Sequence, residues 1–219
     1  MVMAEATNHY FKHLGVSDGL SQVCIPSIYQ DELGAVWLGT TEGLNRYNGK
    51  DVKVFQPSES NHGLTNNEIN ELCGDKNGRM YIRSGNDLIK LDIYTEQFTC
   101  LRQKGVYGLF CKKDTLWVSC ADGIYYYTGQ GTELTFFARV QKGFVGRALY
   151  VDRETVWVVT RKYLVAISRE DPLRQEILLT LDKGNCILGD SSGNIWVGAW
   201  NGLYRVSCLL YTSDAADDM

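Results

Sequence analysis

The sequence predicts an all-β protein folded as a β-propeller, and three observations carry that prediction. Five times along the chain an aromatic residue sits among branched or aliphatic neighbours, with a second aliphatic residue seven positions later: Trp37 and Leu44, Tyr81 and Leu88, Trp117 and Ile124, Trp157 and Leu164, Trp196 and Leu203. The aromatics are spaced by 44, 36, 40 and 39 residues. A period of roughly 40 made of short β-type runs marks propeller blades, each a four-stranded sheet that buries its faces against its neighbours. Turn residues also recur at fixed offsets before the aromatics, with Asp31 and Gly34, Asp75 and Gly78, and Asp190 and Gly193.

The first element in chain order is Tyr10–Leu14, an aromatic segment around Phe11. It is followed by Gly19-Leu20-Ser21 and Ile25, just as Val52 to Gln56 around Phe55 is followed by Gly63-Leu64-Thr65 and Ile69. The correspondence predicts that Tyr10–Leu14 is the outermost strand of a blade whose other three strands lie elsewhere. In a closed ring such a strand completes the last blade, and here that blade is missing.

Each copy then reads as aliphatic segment, hairpin turn and aromatic strand. The clearest are Ile28 to Trp37 and Ile187 to Trp196, with Leu72 to Tyr81 close behind. Asp caps the turn by accepting backbone N–H bonds, and Gly supplies the positive φ that closes it. A third strand follows in Gly43–Tyr47, Gly123–Tyr127 and Gly202–Val206. In copies three and four, Leu109 and Leu149 lie eight residues before Trp rather than nine. One residue is therefore missing from the turns around Lys112-Lys113-Asp114 and Asp152-Arg153-Glu154. A turn can absorb that loss, whereas a slipped strand would send its buried set to solvent.

Composition bounds the rest. Five blades fill nearly all of the 219 residues and leave no room for a second domain. The net charge of -4 and the lack of a Lys/Arg cluster give no footprint for nucleic acid. No run reaches the length of a membrane span. Residues 1–9 read as a leader remnant, too short and polar for a secretion signal, and 10–206 as the partial propeller. Residues 207–219, with Cys208-Leu209-Leu210-Tyr211-Thr212-Ser213, resemble the translated read-through of a sequencing adapter and are expected to be foreign to the fold, in a gene truncated by assembly.

Six cysteines lie outside that tail: Cys24, Cys73, Cys100, Cys111, Cys120 and Cys186. None forms a C-x-x-C pair or has zinc-ligand spacing. They read as buried free thiols, with a Cys111–Cys120 disulfide as the alternative, and free thiols suit a cytosol better than an oxidising compartment.

No catalytic constellation is legible, and neither a cofactor nor a metal is expected. His9, His13 and His62 read as surface residues with no matching nucleophile. Asp31, Asp75 and Asp190 are explained by their turns without calcium. The repeat tryptophans read as packing between blades. Trp200 differs, because it stands in the turn between second and third strands, where the other copies carry Thr41, Gly85, Ala121 and Arg161. That turn lies on the face of a propeller where ligands bind. An exposed Trp200 suits stacking on a sugar ring and Arg161 suits hydrogen bonding to hydroxyls or a carboxylate, although packing of Trp200 on a neighbouring blade is an equal alternative.

The segment Ile28–Tyr47, with Asp31, Gly34, Trp37-Leu38-Gly39-Thr40 and Gly43-Leu44-Asn45-Arg46-Tyr47, resembles the two-component regulator propeller repeat. Tyr10-Phe11-Lys12-His13-Leu14 through Asp18-Gly19-Leu20-Ser21 resembles the start of the sensor region in hybrid two-component systems of Bacteroidetes. The resemblance runs from 10 to 206 and weakens in copies three and four, where Cys111 and Val151 stand in place of Asp. It implies a periplasmic sensor of two seven-bladed propellers, of which about five blades are present here. It further implies an oligosaccharide ligand, a homodimer of the whole sensor, and a membrane helix and histidine kinase downstream. The alternatives are a propeller sensor with another output, such as a cyclic-nucleotide cyclase, or a propeller enzyme or scaffold, since the fold alone suits all of them. An incomplete ring is expected to express poorly and to associate.

Overall fold

The computed structural model describes residues 11–57 and 63–207. Among these residues nineteen strands form five antiparallel sheets, each a simple meander. The first blade holds β1 (Ser27–Gln30), β2 (Val36–Thr40), β3 (Gly43–Tyr47) and β4 (Val52–Phe55). The second holds β5 (Ile69–Gly74), β6 (Arg79–Ser84), β7 (Asp87–Asp92) and β8 (Gln97–Arg102). The third holds β9 (Val106–Lys112), β10 (Thr115–Cys120), β11 (Gly123–Tyr127) and β12 (Thr135–Ala138). The fourth holds β13 (Gly146–Val151), β14 (Thr155–Thr160), β15 (Tyr163–Ser168) and β16 (Gln175–Thr180). The fifth has β17 (Gly184–Gly189), β18 (Asn194–Ala199) and β19 (Gly202–Ser207). Short runs rich in Val, Ile, Leu and aromatics, broken by Asp and Gly, favour these hairpins over helices.

The first strands of successive blades lie against one another in the order β1, β5, β9, β13, β17, so they line the axis. No comparable contact joins β17 back to β1 among the described residues. Four hydrophobic clusters fill the four junctions. Trp37, Leu44 and Phe55 pack on Ile69, Ile82 and Ile89 of the second blade. Tyr81 and Leu88 pack on Val106, Leu116 and Val118 of the third. Trp117 and Ile124 meet Leu149, Val158 and Val165, and Trp157 and Leu164 meet Ile195 and Val197. In the first four copies the repeat aromatic and the aliphatic seven residues later thus bury themselves between blades, against the one that follows. Full burial of each such side chain contributes about 1.5–3 kcal/mol or more.

The register explains the two shortened copies. Ile28, Leu72, Leu109, Leu149 and Ile187 stand opposite Leu38, Ile82, Val118, Val158 and Val197 respectively, so all five occupy one position of the blade. The missing residue is taken out of the hairpin turns, where Lys113 in the third blade adopts φ 51°. Copy four also keeps its aspartate. Asp152 shifts one position and donates nothing, but accepts the indole N–H of Trp157 at 2.6 Å and the backbone N–H groups of Glu154 and Thr155 at 2.8 Å.

Two sequence expectations need correction. Residues 11–14 carry no strand, because no described strand pairs with them in a ladder; Tyr10 lies outside the described residues. The repeat also runs one residue past Val206, since Ser207 pairs with Asn194 as the last residue of β19. The proposed leader 1–9 and the tail 208–219 lie outside the described residues.

Candidate ligand-binding face

The turns between second and third strands share a face with the loops leading into the first strands. Backbone bonds hold them together: Gly85 N–H to Glu68 O at 2.7 Å, Ala121 N–H to Gly105 O at 2.8 Å, and Trp200 N–H to Asp182 O at 2.9 Å. Arg161 takes part through its carbonyl, which accepts the Gly184 N–H at 3.1 Å. These turns are tight, and a Cβ on Gly184 would meet the Thr160 carbonyl oxygen at 2.4 Å. The backbone of this rim is therefore fixed while its side chains point outward.

Trp200 is 78% exposed. Among the described residues it packs into no neighbouring blade, and its ring carries the Lys183 ammonium 4.8 Å from its centroid. Trp200 and Arg161 line one open cavity of about 520 Å³ with Arg147, Lys183, Asn185 and Cys186. Arg147, Arg161 and Lys162 also line an adjoining cavity of about 300 Å³, floored by Phe144 and Tyr107. The two sequence candidates are thus brought together. Arg147 and Lys183 were not anticipated, though their places one residue after Gly146 and one before Gly184 are legible once the first strands are aligned. The side-chain cations here can donate to hydroxyl or anionic oxygen, and the indole offers a flat apolar surface.

The turn aspartates do different work from a metal ligand. Asp31 accepts the Leu33 and Ala35 N–H groups on Oδ1, at 3.0 and 2.9 Å, and the Trp37 indole N–H on Oδ2 at 2.8 Å. Asp190 repeats this with Ser192, Asn194 and Trp196, and these bonds, the Trp196 indole first, hold its carboxyl down to about 2. In the second blade Tyr81 has no indole to offer, and the Arg79 guanidinium lies 2.5 Å from Asp75 instead. The Asp-to-Trp spacing of six is thus one hydrogen-bonded unit, a link sequence reasoning missed by treating turn and aromatic separately. Among the described residues no group of three or more His, Cys, Asp or Glu could hold a metal ion. His13 is exposed, while His9 and His62 lie outside the described residues.

Comparison with known proteins places this architecture. The two-component regulator propeller family model matches residues 19–42, the segment from Gly19 through the β2–β3 turn. That one segment is similar to the two-component regulator propeller repeat. A histidine kinase P4 of Formosa agariphila is 40% identical over 53 residues, a match covering 24% of this chain and 4% of that protein. Among solved structures, the extracellular domain assigned to a hybrid two component system of B. thetaiotaomicron superposes with a TM-score of 0.79 at 23% identity, covering 92% of this chain and 31% of the other. A second extracellular domain from B. thetaiotaomicron, assigned to a one component system, gives 0.75 at 20% identity, covering 92% of this chain and 32% of that domain. A streptogramin B lyase shares the fold at a TM-score of 0.66 and 16% identity, covering 87% of this chain and 67% of the lyase. The chain spans about a third of the length of the two extracellular domains.

Proposed function

We propose that this propeller is part of the extracytoplasmic sensor of a hybrid two-component histidine kinase and that it takes an oligosaccharide on the face carrying Trp200 and Arg161. The observation that carries the reading is Trp200 itself: a large apolar ring, 78% exposed on a backbone fixed to Asp182, beside Arg161 and Arg147 in one cavity. Indole stacks on the apolar face of a pyranose, and the guanidinium groups donate to ring hydroxyls or carboxylates. The chain does no chemistry in this reading; ligand shifts the arrangement of a sensor homodimer, and kinase output follows downstream.

The five blades belong to a larger ring, which we take as seven-bladed, with a second propeller following in the same chain. Supporting this, Leu44, Leu88, Ile124 and Leu164 are all fully buried at 0% by a following blade, while Leu203 at the same position is 69% exposed.

Calorimetry on the intact sensor region, titrated with oligosaccharides, tests the site. Trp200→Ala should weaken binding by about 1–3 kcal/mol, the range for an anchoring aromatic, with an unchanged melting temperature. Unchanged affinity in a stable variant removes Trp200 from the site.

A further inference from the structure

At each junction between blades the same two positions meet across the axis-lining strands. One is the residue opposite the repeat aromatic; the other, in the next blade, stands one position further along. At the first junction these are Tyr29, opposite Trp37, and Gly74, opposite Met80. They are so close that a Cβ on Gly74 would lie 2.2 Å from the tyrosine oxygen. The fourth junction repeats the arrangement with Tyr150, opposite Trp157, and Gly189, where a Cβ would meet the tyrosine ring at 2.1 Å. At the third, Phe110 takes the first position and packs into the cluster that holds Val151, the second. A large residue thus meets a smaller one at three junctions out of four.

The second junction departs from that rule at both positions together. Cys73, opposite Tyr81, replaces the large residue, and Cys111, opposite Leu116, replaces the small one. Their Sγ atoms are 2.6 Å apart. Unbonded sulfurs do not approach so closely, and a covalent S–S bond is about 2.05 Å. The Cys111–Cys120 alternative is excluded by the register, because Cys111 lies near the hairpin turn and Cys120 pairs with Val106 at the far end of the strands.

We propose that Cys73 and Cys111 form a disulfide that staples the second blade to the third beside the axis. Its persistence in the cell rests on the extracytoplasmic placement proposed above. The oxidant is a small-molecule or protein disulfide. Burial, and the neighbouring Cys111, push the Cys73 thiol well up, which assigns the first attack to Cys111. Its thiolate forms a mixed disulfide and expels one thiol of the oxidant. Cys73 then attacks the Cys111 sulfur, loses its proton to solvent, and releases the second thiol. Two protein thiols become one disulfide as one oxidant disulfide becomes two thiols. Free-thiol arithmetic changes accordingly: a pair placed for oxidation no longer argues for a cytosol.

The six cysteines outside the tail fall in six different tryptic peptides, with Cys73 in 54–76 and Cys111 in 105–112. Incubation of the folded chain with oxidised glutathione, alkylation of remaining thiols and digestion without reductant should yield 54–76 joined to 105–112 by mass spectrometry. The linked protein should melt higher than the reduced protein by on the order of 5–10 °C, a gain abolished by reductant. Recovery of both peptides in alkylated form, or of either joined to another cysteine, overturns the proposal. In Cys111→Ala the Cys73 peptide should be recovered alkylated. Acid-quenched cells separate the two readings: a pair that links with glutathione but is reduced in the cell removes the extracytoplasmic placement and leaves the pairing standing.

Discussion

The second to fourth blades and the two outer blades are written in the same repeat, yet they bury it differently. Leu72, Leu109 and Leu149, facing the preceding blade, are 7%, 5% and 3% exposed; Ile28 at the same position in the first blade is 63% exposed. Leu164 is fully buried and Leu203 is not. In a repeat array each unit buries its faces only on its neighbours. Burial here is accordingly a property of the position in the array, with sequence supplying only the capacity for it. The outer faces carry aliphatic surface that a further blade would cover, and among the described residues no strand pairs with the outer edge of β19.

The largest effect that tests this contrast is at the tryptophans. Trp157→Ala removes a ring that is 1% exposed together with its bond to Asp152, and should cost about 3–5 kcal/mol in chemical denaturation. Trp196→Ala, at a half-buried ring in the fifth blade, should cost less than half as much. Equal losses would mean that the terminal blade is as well supported as a central one.

A second pair isolates the aliphatic position. Leu164→Ala should cost about 2–5 kcal/mol, whereas Leu203→Ala should stay within about 0.5 kcal/mol, as for a surface residue. Leu203→Lys should reduce association of the chain in light scattering if that face is what draws copies together. A monodisperse wild-type chain with a sharp melt would argue for a smaller closed propeller.

The smallest effects are in pH dependence, and they run in opposite directions. In the fifth blade Asp190 is held at about 2, below its ordinary 3.8. Its contribution is fully present above about pH 4 and is lost as pH falls through about 2. In the second blade Glu71 lies beside Arg83 and accepts the Leu109 N–H at 3.1 Å, but burial raises its carboxyl to about 7. The folded state therefore holds a proton that the unfolded chain has lost, so stability falls as pH rises from about 4.5 to about 7. Glu71→Gln should flatten that fall, and Asp190→Asn should remove the acid-side loss. Denaturation curves from pH 2 to 8 measure both.

Much of this was legible from residues alone. The period of the aromatics, the Asp and Gly of the turns and the aliphatic seven positions on determined the strands, the hairpins and the packing of each blade on the next, because local turn chemistry and alternating burial are written in short windows. Even the shortened copies could be aligned, since a strand cannot lose a residue without reversing its faces. Tertiary structure decided what depends on neighbours distant in sequence. It left Phe11 to Leu14 without a strand, since a strand needs a partner. It joined Trp200 and Arg161, 39 residues apart, with Arg147 and Lys183 around one cavity. It tied Asp31, Asp152 and Asp190 to Trp37, Trp157 and Trp196, and it set Cys73 against Cys111 across a junction. The sequence contains both cysteines, but only the stacking of one blade on the next brings the two sulfurs together.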